Sequence, residues 1–230
     1  MERLAQPWPV LAGKEQALKE FFAEIANRID EFAEAQANQG VTRSRIYLMN
    51  TPAGAVVTSY VEGKDVEDSF GRLAQSELPI DRYALEQIAD IAGIDIAQAA
   101  PPIAQQILEY IDTSMERGNG LAFSAPLLPG KTERFKAFCA EVNGPRHKEM
   151  EQSRRALDIR NDVGFLLAGT PMGDIVSIYL EGKDPAAGNR QFAGSTSEFD
   201  VWFKTEAGDC FGIDFSRPLP PIETLLDWEE

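Results

Sequence analysis

Tyr60-Val61-Glu62-Gly63-Lys64-Asp65 returns as Tyr179-Leu180-Glu181-Gly182-Lys183-Asp184, a displacement of 119 positions. Outward from this stretch the same displacement carries Thr51-Pro52-Ala53-Gly54 onto Thr170-Pro171-Met172-Gly173, and Ala74 and Ser76 onto Ala193 and Ser195. It also carries Asp81 onto Asp200, Gly93-Ile94-Asp95 onto Gly212-Ile213-Asp214, and Pro101-Pro102-Ile103 onto Pro220-Pro221-Ile222. Upstream the displacement is 117: Leu11-Ala12-Gly13-Lys14 answers Leu128-Pro129-Gly130-Lys131, and Lys19, Phe21, Ala23 and Glu24 answer Lys136, Phe138, Ala140 and Glu141. The slip of two falls near the end of the first helix. Order and spacing kept along both halves read as two diverged copies of one unit.

Each copy resolves into the same elements. A short extended stretch ends at a Gly-Lys turn (Val10 to Lys14, Leu127 to Lys131). A long helix follows, with Leu18, Phe22, Ile25, Ile29 and Phe32 at helical spacing in copy one and Phe135, Phe138, Cys139 and Val142 in copy two. Pro145 should interrupt the second of these helices. Two strands come next, Arg45 to Met49 with Val56 to Val61, and Val163 to Ala168 with Ile175 to Leu180. The Thr-Pro-x-Gly between them predicts a hairpin, because proline fixes φ for a turn and glycine supplies positive φ. Asp65 and Asp184 suit N-caps, Pro185 suits a first helical turn, and Ser195 followed by Glu198 has capping-box spacing ahead of a second helical segment through Trp202 and Phe203. A last short strand is expected at Ile91 to Ile96 and at Cys210 to Phe215. The order β-α-β-β-α-β predicts an α+β fold of two tandem ferredoxin-like units. One face of each four-stranded sheet would remain apolar and uncovered, which packing sheet to sheet would satisfy, as an intramolecular pseudo-dimeric α/β barrel. The expected domains are 1–100 for the first unit, 101–119 for a linker made helical by Ile103, Ile107, Leu108 and Ile111, and 120–230 for the second unit. The apolar tail Ile222 to Trp228 is expected to lie on the first copy.

The totals narrow the function. Of 230 residues, 43% are hydrophobic, enough for a packed core. A formal net charge of -15 opposes binding to nucleic acid and to anionic membranes. No apolar run approaches the roughly 20 residues of a membrane span, and no secretory leader is apparent at the N-terminus. The two cysteines, Cys139 and Cys210, have no metal spacing, and a reducing cytoplasm is the expected location. The single histidine, His147, excludes a multi-histidine metal site within one chain.

With this element order, the chain resembles the dimeric α/β-barrel superfamily, which includes antibiotic-biosynthesis-type monooxygenases, stress-responsive barrel proteins, muconolactone-isomerase-like enzymes and haem-degrading relatives. The second half, through Leu128-Pro129-Gly130-Lys131-Thr132-Glu133, Ser153-Arg154-Arg155, Thr170-Pro171-Met172-Gly173-Asp174 and Phe199-Asp200-Val201-Trp202-Phe203 before Gly212-Ile213-Asp214, is similar to an uncharacterised bacterial group. The superfamily shares a fold and no universal catalytic motif.

Candidate site residues follow from residue type. His147 could act as a general base or an axial haem ligand, or lie exposed in the polar run Arg146-His147-Lys148-Glu149. Arg154 and Arg155 could hold a carboxylate or enolate, or pair with Glu149, Glu151 or Asp158. Asp95 and Asp214 would be raised-pKa bases if buried. Tyr179, with Tyr60 as its counterpart, is a candidate pocket or core residue. Phe199, Trp202 and Phe203 form an aromatic cluster where copy one has Ile80, Tyr83 and Ala84, and could wall an apolar pocket. The repeated Gly-Lys, Thr-Pro-x-Gly and Glu-Gly-Lys-Asp segments lack the spacing of a phosphate cradle and read as turns. The expected function is binding of a small apolar or aromatic ligand, or cofactor-poor oxygenation or isomerisation of one, with no cofactor required. A stress-related scaffold and a haem-binding protein are the alternatives. Duplication within one chain would satisfy internally the pairing such units obtain by dimerising, leaving further homo-oligomerisation optional.

Overall fold

The computed structural model describes residues 1–51, 54–98 and 101–230. It divides into two units, Met1–Ile103 with Glu223–Glu230, and Ala104–Ile222. The fold is α+β, with two four-stranded antiparallel sheets.

In the first unit, β1 (Glu2–Pro9) leads to α1 (Glu15–Asn27) and α2 (Ile29–Gln39), then to the hairpin β2 (Val41–Thr51) and β3 (Gly54–Gly63). A 3-10 turn at Val66–Asp68, α3 (Ser69–Gln75) and α4 (Pro79–Ala92) follow. In the second unit, β4 (Gln105–Ile111) and β5 (Asn119–Pro126) precede α5 (Thr132–Asn143), α6 (His147–Ala156), β6 (Ile159–Thr170), β7 (Gly173–Gly182), α7 (Pro185–Gly194) and α8 (Glu198–Phe211). The last strand, β8 (Ile222–Glu229), returns to the first unit. The sheet orders are β1-β3-β2-β8 and β5-β7-β6-β4.

The hairpins fall where the Thr-Pro-x-Gly segments predict them. Thr170 pairs with Gly173, and its hydroxyl donates to the Gly173 carbonyl while accepting from the Met172 N–H. Thr51 pairs with Gly54, and the Pro52-Ala53 of that turn lies outside the described residues. Pro145 separates α5 from α6, as proline requires. Copy one was expected to carry one continuous helix to Phe32. It breaks instead at Arg28, where φ and ψ of -113° and 36° leave the helical region. Asp184 caps α7 by accepting from the Ala187 N–H, with Pro185 in the first turn. Asp65 precedes the 3-10 turn in a left-handed conformation and makes no side-chain cap. The cap of α8 is Ser197 rather than Ser195: its side chain accepts from the Asp200 N–H.

Three expectations about strands are corrected. The first strand of each copy lies before the Gly-Lys turn, at Glu2–Pro9 and Asn119–Pro126. Ile91 to Ile96 and Cys210 to Phe215 form no strand: Ile91 and Cys210 are helical, and Gly93 and Gly212 end α4 and α8 at φ of 69° and 68°, a left-handed cap that glycine adopts without a Cβ clash. The segment read as a helical linker contains β4. Its isoleucines mimic helical spacing because a bulge between Gln106 and Leu108 breaks the period-two alternation. The tail does lie on the first unit, since β8 is the sheet neighbour of β2 and the Glu230 N–H donates to the Thr42 carbonyl.

In each unit one sheet face meets the helices. Ile46, Leu48, Val57 and Leu226 pack there with Leu18, Phe21, Ile25 and Ile80. Leu108, Leu166 and Val176 do so in the second unit with Phe135, Phe138 and Cys210. The opposite faces are buried too and hold Tyr60 hydrogen-bonded to Glu62 (2.7 Å) and Tyr179 to Glu181 (2.9 Å). No helix among the described residues is long and apolar enough to cross a membrane.

Candidate functional site

The first unit holds a partly open cavity of ≈ 170 Å³ between the inner sheet face and its helices. Trp8, Phe21, Phe22, Phe32, Leu73 and Ile88 wall most of it. Amphipathic spacing aims them inward: Leu18, Phe21, Phe22 and Ile25 lie three or four apart on α1. The C-terminal strand completes the wall with Leu226. That strand is held by Arg45 Nε to Asp227 (2.7 Å), by Arg43 to Glu229 (2.5 Å), and by an edge-on contact of Trp228 with Phe32.

One end of the cavity is polar and is formed by Gln36, Gln39, Ser44 and Asp81, all buried. Asp81 is 4% exposed. Its Oδ1 accepts from Gln39 Nε2 at 2.9 Å, and no protein donor reaches Oδ2. Burial raises the Asp81 pKa. The Ser76 hydroxyl and the Gln39 amide oppose that rise, although Ser76 stays outside hydrogen-bond geometry. No Lys or Arg among the described residues forms an ion pair with it. Gln39 and Asp81 also line an outer depression with Asn38, Arg72, Ser76, Glu77 and Leu78.

The second unit fills the same place. Asp200 is the third residue of α8, as Asp81 is of α4. Arg154 stands five residues before β6, as Gln36 does before β2, and Asp162 pairs with Leu180 as Ser44 pairs with Val61. Arg154 Nε donates to Asp162 Oδ2 (2.7 Å), and Nη1 donates to Ser153 Oγ (2.9 Å) and lies 3.9 Å from Asp200 Oδ1. The guanidinium sits over Phe192 and Phe203, 4.8 and 4.7 Å from the ring centroids. Asp200 accepts from Ser153 and Ser195. Burial pulls its pKa up, but the Ser153, Ser195 and Ser197 hydroxyls and Arg154 together hold it below the ordinary value. The Oδ1 of Asp162 is the one carboxylate oxygen of this group left unbonded. The rings of Phe192 and Phe203 occupy positions that Leu73 and Ala84 hold in the first unit, two residues before the end of α7 or α3 and at the sixth residue of α8 or α4. The remaining cavity is ≈ 70 Å³.

The residues singled out from the sequence are dispersed by this geometry. His147 is exposed at the start of α6. Asp214 is exposed in the loop after α8 and accepts from the Ser216 hydroxyl and N–H, which with Arg217 lowers its pKa. Asp95 is likewise exposed and accepts from the Gln98 N–H. Arg155 pairs with Asp112 at 2.7 Å, and Ser114 and Arg155 bring the Asp112 pKa to about 2. Tyr179 points to the opposite sheet face, bonded to Glu181. Trp202 is half-buried under the guanidinium of Arg146, 3.8 Å from its ring centroid, and packs with Phe199 and Phe138. Of the four candidate pocket residues, Phe203 alone lines the second unit's cavity, together with Arg154. Among the described residues no cluster of three or more His, Cys, Asp or Glu could hold a metal. Sequence reasoning matched Asp81 to Asp200 and passed over both. The signal was available: the matched aspartates keep their places while their neighbours Gln36 and Ser44 differ from Arg154 and Asp162.

The chain is similar in structure to an anthrone oxidase-like protein, with a TM-score of 0.49 at 12% identity, covering 96% of this chain and 88% of that one. It is also similar to a candidate monooxygenase from Fusobacterium nucleatum (TM-score 0.46, 12% identity, covering 99% of this chain and 96% of that one). A third likeness is to a candidate monooxygenase from Lactobacillus acidophilus (TM-score 0.47, 11% identity, covering 99% and 94%). No curated protein matches it. The model of a family of unknown function, DUF6176, matches residues 1–115, half of the chain, and the protein belongs to that family.

Proposed function

We propose that this protein binds a small, largely apolar molecule of one or two rings in the cavity of its first unit. The observation that carries this is the contrast between corresponding positions: ≈ 170 Å³ open in the first unit, against ≈ 70 Å³ where Arg154, Phe192 and Phe203 fill the second. A dry apolar cavity of roughly 150 Å³ is enough to admit benzene. Natural cores rarely leave a void of this size unfilled. The aromatic walls with a few polar groups gathered at one end have the make-up of a ligand site rather than of a packing fault. The two units themselves we infer to be products of one duplication, of which the first kept the space and the second closed it.

Turnover is a second reading, favoured by Asp81. A buried carboxylate with a raised pKa at the end of an apolar cavity is suited to take a proton from an enolisable ligand. Such a transfer would open a cofactor-poor isomerisation or oxygenation. Isothermal titration with indole tests the binding reading. Saturable, one-to-one heat is expected, abolished by Ala84→Phe, and no binding by indole, naphthalene or benzene derivatives would leave the scaffold reading in its place. Oxygen uptake or isomerised product with an enolisable ligand, lost in Asp81→Asn, tests turnover.

A further inference from the structure

The second unit shows what a group held at the polar end of the first would look like. There the carboxylate on the third residue of the helix faces a planar cation. The Arg154 guanidinium lies 3.9 Å from Asp200, bonds Ser153 and Asp162, and sits over the rings of Phe192 and Phe203. In the first unit the carboxylate remains, as Asp81, while the cation is replaced by the shorter, neutral Gln36 and its partner by Ser44. Oδ2 of Asp81 is buried without a donor. Leaving such an oxygen unbonded is costly, and a charge-assisted hydrogen bond is the strongest way to satisfy it.

From this we propose that the ligand of the first cavity carries a protonated amine or amidine on its aromatic body, and that this cation takes beside Asp81 the place that Arg154 takes beside Asp200. The proposal rests on the cavity being a binding site and adds the chemistry of the head group. Three further features agree with it. Gln36 and Ser44 line the same cavity as the carboxylate, and their acceptor oxygens are available to the remaining N–H groups. The aromatic walls suit a cation as well as a ring. The chain's net charge of -15 raises the local concentration of cations over anions.

Phenethylamine, 2-phenylethanol and phenylacetate share a body and differ in head group, and titrating each into the full chain at neutral pH tests the proposal. Phenethylamine is expected to bind at least about tenfold more tightly than 2-phenylethanol, the worth of one charge-assisted hydrogen bond, with phenylacetate weakest. Asp81→Asn should erase the preference for the amine over the alcohol. Gln36→Arg should abolish amine binding by supplying the cation internally. Circular dichroism and thermal unfolding of both variants establish that they fold. Equal affinity for amine and alcohol, or an amine preference that survives Asp81→Asn in a folded protein, overturns the head-group proposal and leaves the cavity reading standing. Absence of binding by all three together with indole overturns both.

Discussion

Replacing Ala84 with phenylalanine puts into the first unit the side chain that Phe203 places at the same helix position in the second. Closing a residual cavity is worth roughly 24 cal/mol per Å³. Filling the whole ≈ 170 Å³ would therefore stabilise the unit by at most about 4 kcal/mol. A benzyl group adds six ring carbons and occupies roughly half of that space, for about 2 kcal/mol. Loss of rotamer freedom and some strain against Phe21 and Phe22 offset about 1 kcal/mol of this. The net gain should be about 1 kcal/mol, or a Tm higher by roughly 3 °C for a chain of this size. The same ring should exclude indole. Thermal unfolding and titration calorimetry on wild type and Ala84→Phe read both effects. A variant destabilised by more than about 1 kcal/mol that still binds indole with wild-type affinity would refute the placement of the cavity, because a ring in that space cannot strain the core and leave room for a ligand.

Other expectations follow from the two carboxylates. The Asp81 pKa is raised in the folded state, so folding favours its protonated form; its contribution is most favourable below the unfolded-state pKa and is lost as pH rises through the folded value. Asp81→Asn should therefore gain stability relative to wild type as pH climbs from acid to neutral in urea titrations, and a difference independent of pH would contradict the raised pKa. Asp200, with its pKa lowered, behaves oppositely: its stabilisation is present above the unfolded pKa and disappears as pH falls through the folded one, so Asp200→Asn should cost most at neutral pH and least in acid. Arg154→Met strands Asp162 and should destabilise by about 3 kcal/mol in chemical denaturation, whereas Gln36→Met should change stability by less than about 1 kcal/mol. Burial pushes the thiols of Cys139 and Cys210 up, so neither should react with a thiol reagent until the protein is unfolded, and rapid modification of the native chain would count against the packing of α5 on α8.

The parts of the fold legible in the sequence were those set by local chemistry. Thr-Pro-x-Gly specified both hairpins, Pro145 the break between α5 and α6, and Asp184-Pro185 the start of α7. The parts that were missed depend on partners distant in the chain. The strand β4 reads as a helix because its bulge hides the alternation, and what makes it a strand is the free edge of β6. Gly-Ile-Asp reads as strand, yet its glycine is a helix terminator, which is visible only once the preceding helix is seen to run to Ala92 or Phe211. The site was missed for a related reason. Trp202, Phe199 and Phe203 drew notice as large aromatic residues, but large residues fill space. The cavity lies where Ala84 and Leu73 are small, and a deficit of volume leaves no motif. The two halves did hold the clue, in an aspartate present in both with an arginine ion pair at only one of them.

Whether the first unit holds the ligand and the second does not can be read by methyl-resolved NMR of the full chain titrated with indole. Shifts are expected at the methyl groups of Ile25, Ile80, Ile88 and Ile91, which line the first cavity, with Ile159 and Ile178 of the second unchanged. Shifts confined to Ile159 and Ile178, or no shifts at saturating indole, would contradict a ligand site in the first unit.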